Sequence, residues 1–316
     1  MKKKMTHLMK AIAGAAALLA AGPALAQQQI DEPRLDPIFG QKRPETPEER
    51  ERIKNDEEFD QDKGWHPLRD FVGVLTFLAP SNTDLSVGLG PEYRPDYFGS
   101  DDYHFVPDPE VYVKFRNFVF LDNDGADIAL FGFSGFSFGP SFRVVGNRKE
   151  SDNIALTGLG DIDYTAEVGG FAATKFVDRF LVRFKVRKGI AGGHDGLIVD
   201  AAGTALLFRN GRVSTSVSAN ASWIGERYAD TYFSVTPSQS LASGLPVYDA
   251  PSGMRDIGGS FNAYINIGKR WSLNPYVTYT YIFDDVAATP IISLYGDRNQ
   301  YRAGFHLMRE FNMKWR

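Results

Sequence analysis

Cysteine is absent from this chain of 316 residues. Its absence excludes disulfide staples and thiolate metal sites. Histidine is scarce: beyond His7 there are only His66, His104, His194 and His306, and no two stand at a His-x-x-x-His spacing. No zinc site is expected from such a set, and no cofactor motif stands out. Beyond the first two dozen residues no apolar run is long enough to cross a membrane as a helix. Positive charge is not in excess either, with 35 basic against 39 acidic residues over the whole sequence. That balance argues against nucleic acid as a partner.

The first segment present is a leader. Lys2, Lys3, Lys4 and Lys10 form a basic start, residues 11–22 an apolar centre, and Ala24-Leu25-Ala26 a small-residue cleavage box. This pattern predicts a secretory signal peptide over residues 1–26. Without its four lysines the chain keeps 31 basic and 39 acidic residues and becomes more acidic. Residues 27–82 follow as a charged stretch punctuated by Pro33, Pro37, Pro44 and Pro47, poor in residues able to bury a core. A mobile periplasmic arm or lumen plug is expected there. One helix is predicted within it, where Thr46, Pro47 and Glu49 form a capping box before EERERIKNDEEF.

From residue 83 onward the apolar pattern has a period of two. It is clearest in the last stretch, NQYRAGFHLMREFNMKWR, where Tyr301, Ala303, Phe305, Leu307, Phe311, Met313 and Trp315 share one face, interrupted only by Arg309. Arg302, Gly304, His306, Met308, Glu310, Asn312 and Lys314 take the other. In Arg179–Gly189 the apolar Phe180, Val182, Phe184 and Val186 oppose Arg183, Lys185 and Arg187. A helix would spread those four apolar residues around its circumference, so strands are predicted. Further strands are expected at 85–93, 111–115, 136–144, 161–174, 197–208, 212–223, 229–237, 257–267, 271–283 and 291–295, with turn signals such as Asn123-Asp124-Gly125 and Arg209-Asn210-Gly211 between them.

One apolar face per strand, opposed by Arg, Lys, Ser and Gly, leaves no second greasy layer for a sandwich. Aromatics such as Tyr276, Tyr279, Tyr281, Phe283, Trp223 and Trp315 supply an interfacial belt. The expected fold is all-β, an antiparallel transmembrane barrel over 83–316 in the outer membrane, in contact with its lipid. Single-chain bacterial barrels favour an even count, which makes twelve strands the expectation and ten the alternative.

Candidates for chemistry are few. Gly135-Phe136-Ser137-Phe138-Gly139 matches the nucleophile-elbow pattern, but Pro140 and unbroken alternation follow where a helix is required. His104 beside Ser100, Asp101 and Asp102, or His194 beside Asp195, are the places where a Ser–His–acid site would assemble. Asp161 and Asp163 lie two apart, so on a strand both carboxylates face one side, with Arg183, Lys185 and Arg187 as lumen partners.

Several blocks together resemble the MipA/OmpV family. Gly90-Pro91-Glu92-Tyr93-Arg94-Pro95-Asp96-Tyr97-Phe98-Gly99-Ser100-Asp101-Asp102-Tyr103 is similar to its opening strand and loop. Leu156-Thr157-Gly158-Leu159-Gly160-Asp161-Ile162-Asp163, with Glu167-Val168-Gly169, looks like its central motif. Gly193-His194-Asp195-Gly196, then Tyr228 to Pro237 with Tyr232 among them, complete the likeness, which spans about residues 85–316. The resemblance implies a non-enzymatic outer-membrane scaffold that joins a lytic transglycosylase to a murein synthase. The Gly, Pro and Asp of these blocks read as turn determinants that hold the ends of the barrel. A narrow solute channel lined by Arg183, Lys185, Arg187 and Arg302, and a lipid-modifying enzyme using His104 or His194, stand as the alternatives.

Overall fold

The computed structural model describes residues 83–115, 119–122, 125–128, 131–133, 136–176, 179–210, 212–268 and 270–313. The leader, the arm with its expected helix, and Trp315 lie outside them. The first strands are β1 (Thr83–Pro95), β2 (Tyr103–Phe115), β3 (Val119–Asp122), β4 (Gly125–Ile128), β5 (Phe131–Phe133) and β6 (Phe136–Val145). After them run β7 (Thr165–Phe176), β8 (Phe180–Gly192), β9 (Leu197–Arg209) and β10 (Val213–Ile224). The last three are β11 (Gly253–Asn266), β12 (Trp271–Ile282) and β13 (Asn299–Met313).

Consecutive strands pair antiparallel except β4 with β5, and the last pairs with the first from Thr83↔Met313 to Tyr93↔Ala303. β4 pairs with β3 on one side and, through Ala126↔Phe142 and Asp127↔Ser141, with β6 on the other. β5 lies on the same side of β6, opposite Phe136 to Phe138. β4 and β5 therefore share one place, and the thirteen strands occupy twelve places around an antiparallel barrel. No helix among the described residues is long and apolar enough to cross a membrane.

The wall is built inside out. Along β8, Phe180, Val182, Phe184 and Val186 are exposed while Lys185 and Arg187 are buried in the lumen. Along β13, Phe305, Leu307 and Phe311 face outward while His306 and Met308 face inward. Lipid against one face and a polar lumen against the other produce this alternation. Aromatics gather at both rims: Tyr93 against Tyr103 and Phe105, and Tyr279 against Tyr301, near one end; Trp271 under Arg309 at the other. Trp223 is half-buried at the far end of β10.

One edge of the wall is marked by proline. Pro91 stands opposite Pro107 in the β1–β2 ladder. Neither has an N–H, so this is a non-hydrogen-bonded pair, and the Pro107 nitrogen faces away from β1. On that far side of 103–108 no strand lies among the described residues. Proline is tolerated at such an edge, where no ladder needs its donor.

At one end the connections are short: 210–212 between β9 and β10, and 267–270 between β11 and β12. At the other they are long and structured. Residues 146–164 carry two 3-10 turns, Glu150–Asp152 and Ile154–Leu156. Residues 225–252 carry α1 (Glu226–Phe233) and α2 (Pro237–Ser243), and 283–298 carry α3 (Asp284–Ala287) and α4 (Pro290–Ser293).

Three strand expectations fail here. Residues 229–237 begin inside α1, because Tyr228, Ala229, Tyr232 and Phe233 recur at the helical period and reach one side together. Residues 291–295 begin inside α4, where Pro290 sets the first turn and the consecutive Ile291 and Ile292 are both buried, which strand alternation forbids. β7 starts at Thr165 rather than 161, since Asp161 and Asp163 flank a single bridge between Ile162 and Arg148. The twelve places are filled instead by the short β3 and by β4 with β5.

Candidate functional site

The long connections pack into a cap over one mouth of the barrel. Seventeen buried apolar residues form one cluster in it, among them Leu156, Ile224, Tyr228, Phe233, Ile282 and Ile292. Polar side chains tie the loops to each other. Tyr97 Oη donates to Ile291 O at 2.9 Å, Thr289 Oγ1 to Phe233 O at 2.5 Å, and Gln239 Nε2 to Leu159 O at 2.6 Å. Arg148 Nη1 donates to Tyr232 O at 2.8 Å. Burial pushes the Tyr97 and Tyr232 hydroxyls up to about 12, and burial also lowers the Arg148 guanidinium from its usual range.

The family-like blocks converge on this cap. Tyr97, Gly99, Ser100 and Asp101 form the first loop, with Ser100 fully buried and bridged to Gly296. Gly158 has a positive φ of 82°, and a Cβ there would meet the backbone of Ala242 and Ser243 at 2.7 and 2.7 Å. Only glycine lets that turn lie against the end of α2. Gly196 serves a close approach of another kind, since a Cβ would stand 2.2 Å from Tyr228 N at the start of α1. Gly160 N–H donates to Glu150, and Gly193 packs over the Asp163 carbonyl. Tyr93 and Pro95 stand lower, on β1, with Tyr93 on the outer rim.

Below the cap a chain of polar contacts runs along the inner wall from β7 to β11. His194 is sealed between Tyr228 and Tyr232, whose ring centroids lie 4.7 and 5.6 Å away. Gly196 N–H donates to His194 Nδ1 at 3.2 Å, so the proton sits on Nε2, which donates to Glu167 Oε1 at 3.1 Å. Glu167 also accepts from Arg187 Nε at 3.0 Å, and Arg187 reaches Asp200 at 2.5 Å. Ser222 Oγ donates to Asp200 at 2.7 Å and accepts from Arg255, which pairs with Asp256 at 2.5 Å and donates to Tyr228 Oη at 3.1 Å. Buried ions of this kind are tolerated because each has its partners.

This network borders a chamber of about 560 Å³. Pro95, Asp96, Tyr97 and Phe98 roof it, and Arg94, Arg143, Arg183, Lys185, Arg187, Arg255 and Arg302 reach it from five strands. The four lumen cations expected from the sequence are thus brought together. Toward the other end, Asp108 accepts from Tyr276 Oη at 2.8 Å and from His306 Nε2 at 2.7 Å. Glu92 lies 3.6 Å from Arg94 and 3.4 Å from Arg302.

Several expected pairings are not found. Asp161 does not meet the lumen cations; its carboxylate accepts from Glu150 N–H at 2.9 Å in the loop, because neither it nor Asp163 is on a strand. His104 pairs with Asp96, while Ser100 Oγ accepts from Asp102 N–H at 3.1 Å, so no Ser–His–acid relay forms there. His194 turns to Glu167, and Asp195 pairs outward with Arg227. β6 runs straight through Ser137 with no following helix, which removes the nucleophile elbow. Asp200, Ser222, Arg255 and Asp256 escaped the sequence reading. A lone Asp inside LIVDAAG and the adjacent Arg-Asp opening β11 were the available signals. Among the described residues no group of three or more His, Asp or Glu is arranged to hold a metal ion.

Residues 87–311 match the family model described as MltA-interacting protein MipA. A comparison with curated protein sequences finds no match. Among solved structures the chain is similar to an outer membrane channel from Pseudomonas putida F1, at 10% identity and a TM-score of 0.38, covering 73% of this chain and 96% of that one. It is also similar to the translocator domain of the autotransporter NalP from Neisseria meningitidis, at 10% identity and a TM-score of 0.34, covering 84% and 95%. A FadL homologue from Pseudomonas aeruginosa matches at 9% identity and a TM-score of 0.33, covering 74% and 90%.

Proposed function

The chain belongs to the MltA-interacting protein MipA family and is an outer-membrane β-barrel, and from that premise we propose that it acts as a non-enzymatic interaction protein linked to peptidoglycan enzymes. Its partners in this reading are a lytic transglycosylase and a murein synthase, held near the membrane that the barrel anchors. One observation carries the non-enzymatic part: the residues that resemble the family's motifs are engaged in holding the cap. His194 is fully enclosed and bonded at both ring nitrogens, which leaves no lone pair for a general base.

Outer-membrane barrels keep short turns on the periplasmic side and longer loops outside. Murein lies on the periplasmic side, so the contact falls to the short-turn rim or to residues 27–82, not to the cap. In-cell crosslinking followed by mass spectrometry tests this, comparing the full chain with a deletion of residues 31–63. Recovery of murein enzymes with the full chain alone supports the reading and places the contact on the arm. Recovery with both moves it to the rim, and recovery with neither overturns the reading. A narrow solute channel is the second reading, favoured by the cationic chamber; planar-bilayer recordings without current steps would remove it.

A further inference from the structure

The barrel wall has a window on its cap side. The β3–β4 hairpin fills two places but is short: β3 ends at Asp122, one residue past the pair Val113↔Leu121, and toward the cap β4 meets β6 no further than Ala126↔Phe142. Above the hairpin β2 continues through 103–108 and β6 through Val144 and Val145, with no strand between them among the described residues. Two vacant places leave roughly 14 Å between β2 and β6, three strand spacings of about 4.8 Å. Asn153, on the loop after β6, donates to Asp96 at 2.8 Å and to Asp102 at 3.1 Å and closes the frame at the top. Exposure marks the same frame. Among the described residues Phe105 on β2, at 74%, and Val144 on β6, at 70%, are the most exposed large apolar side chains of the strands, against 44–49% for Phe180, Val182, Phe184 and Phe305. The latter have a neighbouring strand on each side, whereas Phe105 and Val144 have one on a single side.

The edge is not built to receive another strand. Pro107 and Pro109 stand at alternate positions of β2, so both direct their nitrogens away from β1 and into the window, and a strand added there would find no donor at either. What the window meets is the membrane. Tyr93, Tyr103 and Phe105 of the aromatic rim stand beside it, at the depth where head groups give way to acyl chains. Its sides face lipid through Phe105 and Val144, while the chamber of about 560 Å³ borders it from within: Arg94, opposite His104, and Arg143, next to Val144, both line that space. Asn220, Ser260, Thr278 and Thr280 make the lining polar, so a wholly apolar molecule gains nothing there, and a wholly polar one is opposed by the apolar rim. We propose that the window is a lateral portal: an amphiphile from the outer leaflet places its polar head in the chamber and leaves its acyl tail between β2 and β6. This goes beyond the protein-interaction role above and does not rest on it.

The chain has no cysteine, so single thiols report position without background. Val106→Cys faces inward at the window, Ser218→Cys inward on the closed wall at β10, and Val182→Cys outward on β8. Each full-length variant is labelled with bimane, placed in phosphatidylcholine bilayers and titrated with lysophosphatidylcholine brominated on its acyl chain, and its heat-modifiable gel migration reports folding. The expected result is a saturable loss of fluorescence at Val106 that exceeds the loss at Val182 at equal lipid content, with none at Ser218. A loss at Val106 no greater than at Val182 overturns the binding site and leaves a gap bathed in bulk lipid. A label at Val106 as silent as that at Ser218 overturns the portal. Quenching at Val106 that appears only after deletion of residues 31–63 overturns it as well, because the arm then fills the window. If Val106→Cys does not fold, His104→Cys on the same edge and face takes its place and is read by the same criteria.

Discussion

The cap and the wall sort the same residue types in opposite directions. In the cap, Leu156, Ala229 and Val286 are at most 1% exposed. In the wall, Val182 and Phe184 are each 47% exposed, while the fully charged Arg187 is 2% exposed inside. The cap obeys the rule of a water-soluble domain; the wall obeys that of a body surrounded by lipid. Burial therefore reports which solvent a segment meets, and one chain carries both answers. The two regions meet at Glu167, which touches His194 of the cap and Arg187 of the wall.

Breaking that joint should have the largest effect. Glu167→Ala leaves Arg187 and His194 facing a void, and loss of one partner of a buried ion pair costs about 3–5 kcal/mol. Denaturant unfolding in detergent micelles checks it, and a loss below about 1 kcal/mol would show that the cap and wall are not coupled there. Next comes a paired substitution. Leu156→Ala should destabilise by about 2–5 kcal/mol through the cavity it leaves. Phe184→Arg should cost about 2–4 kcal/mol near the middle of the bilayer. Limited proteolysis separates the two: the first should admit cleavage within 146–164 while the strands persist, and the second should lower barrel folding with the cap never nicked alone.

Alkaline pH acts on the cap through two of its tyrosines. Tyr97 and Tyr232 titrate at about 12 in the folded chain against 10.0 when free. Between those values the unfolded chain releases protons that the folded chain retains, so stability present below pH 10 is lost as pH rises toward about 12. Tyrosinate absorbance followed beside near-ultraviolet circular dichroism should show the cap loosening over that interval. The smallest effect is expected at Thr236, whose side chain closes the capping box of α2 with Gln239. Thr236→Ala should cost about 1 kcal/mol, visible as faster amide exchange in 237–243 with the strands unchanged.

The wall was legible in the sequence because its rule is local. Phe180, Val182, Phe184 and Val186 alternate with charges, and a period of two needs no knowledge of neighbours. The cap was not legible for the same reason. Ala229 to Pro237 reads as a strand, and the helical recurrence of Tyr228, Ala229, Tyr232 and Phe233 counts only once Leu245 and the other loops give it a surface to pack on. Asp161 and Asp163 look like a strand pair until the bridge at Ile162 holds them in a loop. Of the candidate site, Arg183, Lys185, Arg187 and Arg302 were visible as lumen charges. Asp200 and Arg255 were not, because register across β8 to β11 decides which charges meet.

Closure by the first and last strands sets an order in time. β1 is made about 200 residues before its partner across the seam, Asn299–Met313. For that whole interval one edge of β1 carries unmet donors and acceptors, the kind of edge that recruits stray strands. The entropic cost of bringing such distant ends together grows only slowly with chain length, but the search is slow. Until both strands are present the wall cannot close. Whatever escorts it must guard that edge until Met313 arrives opposite Thr83.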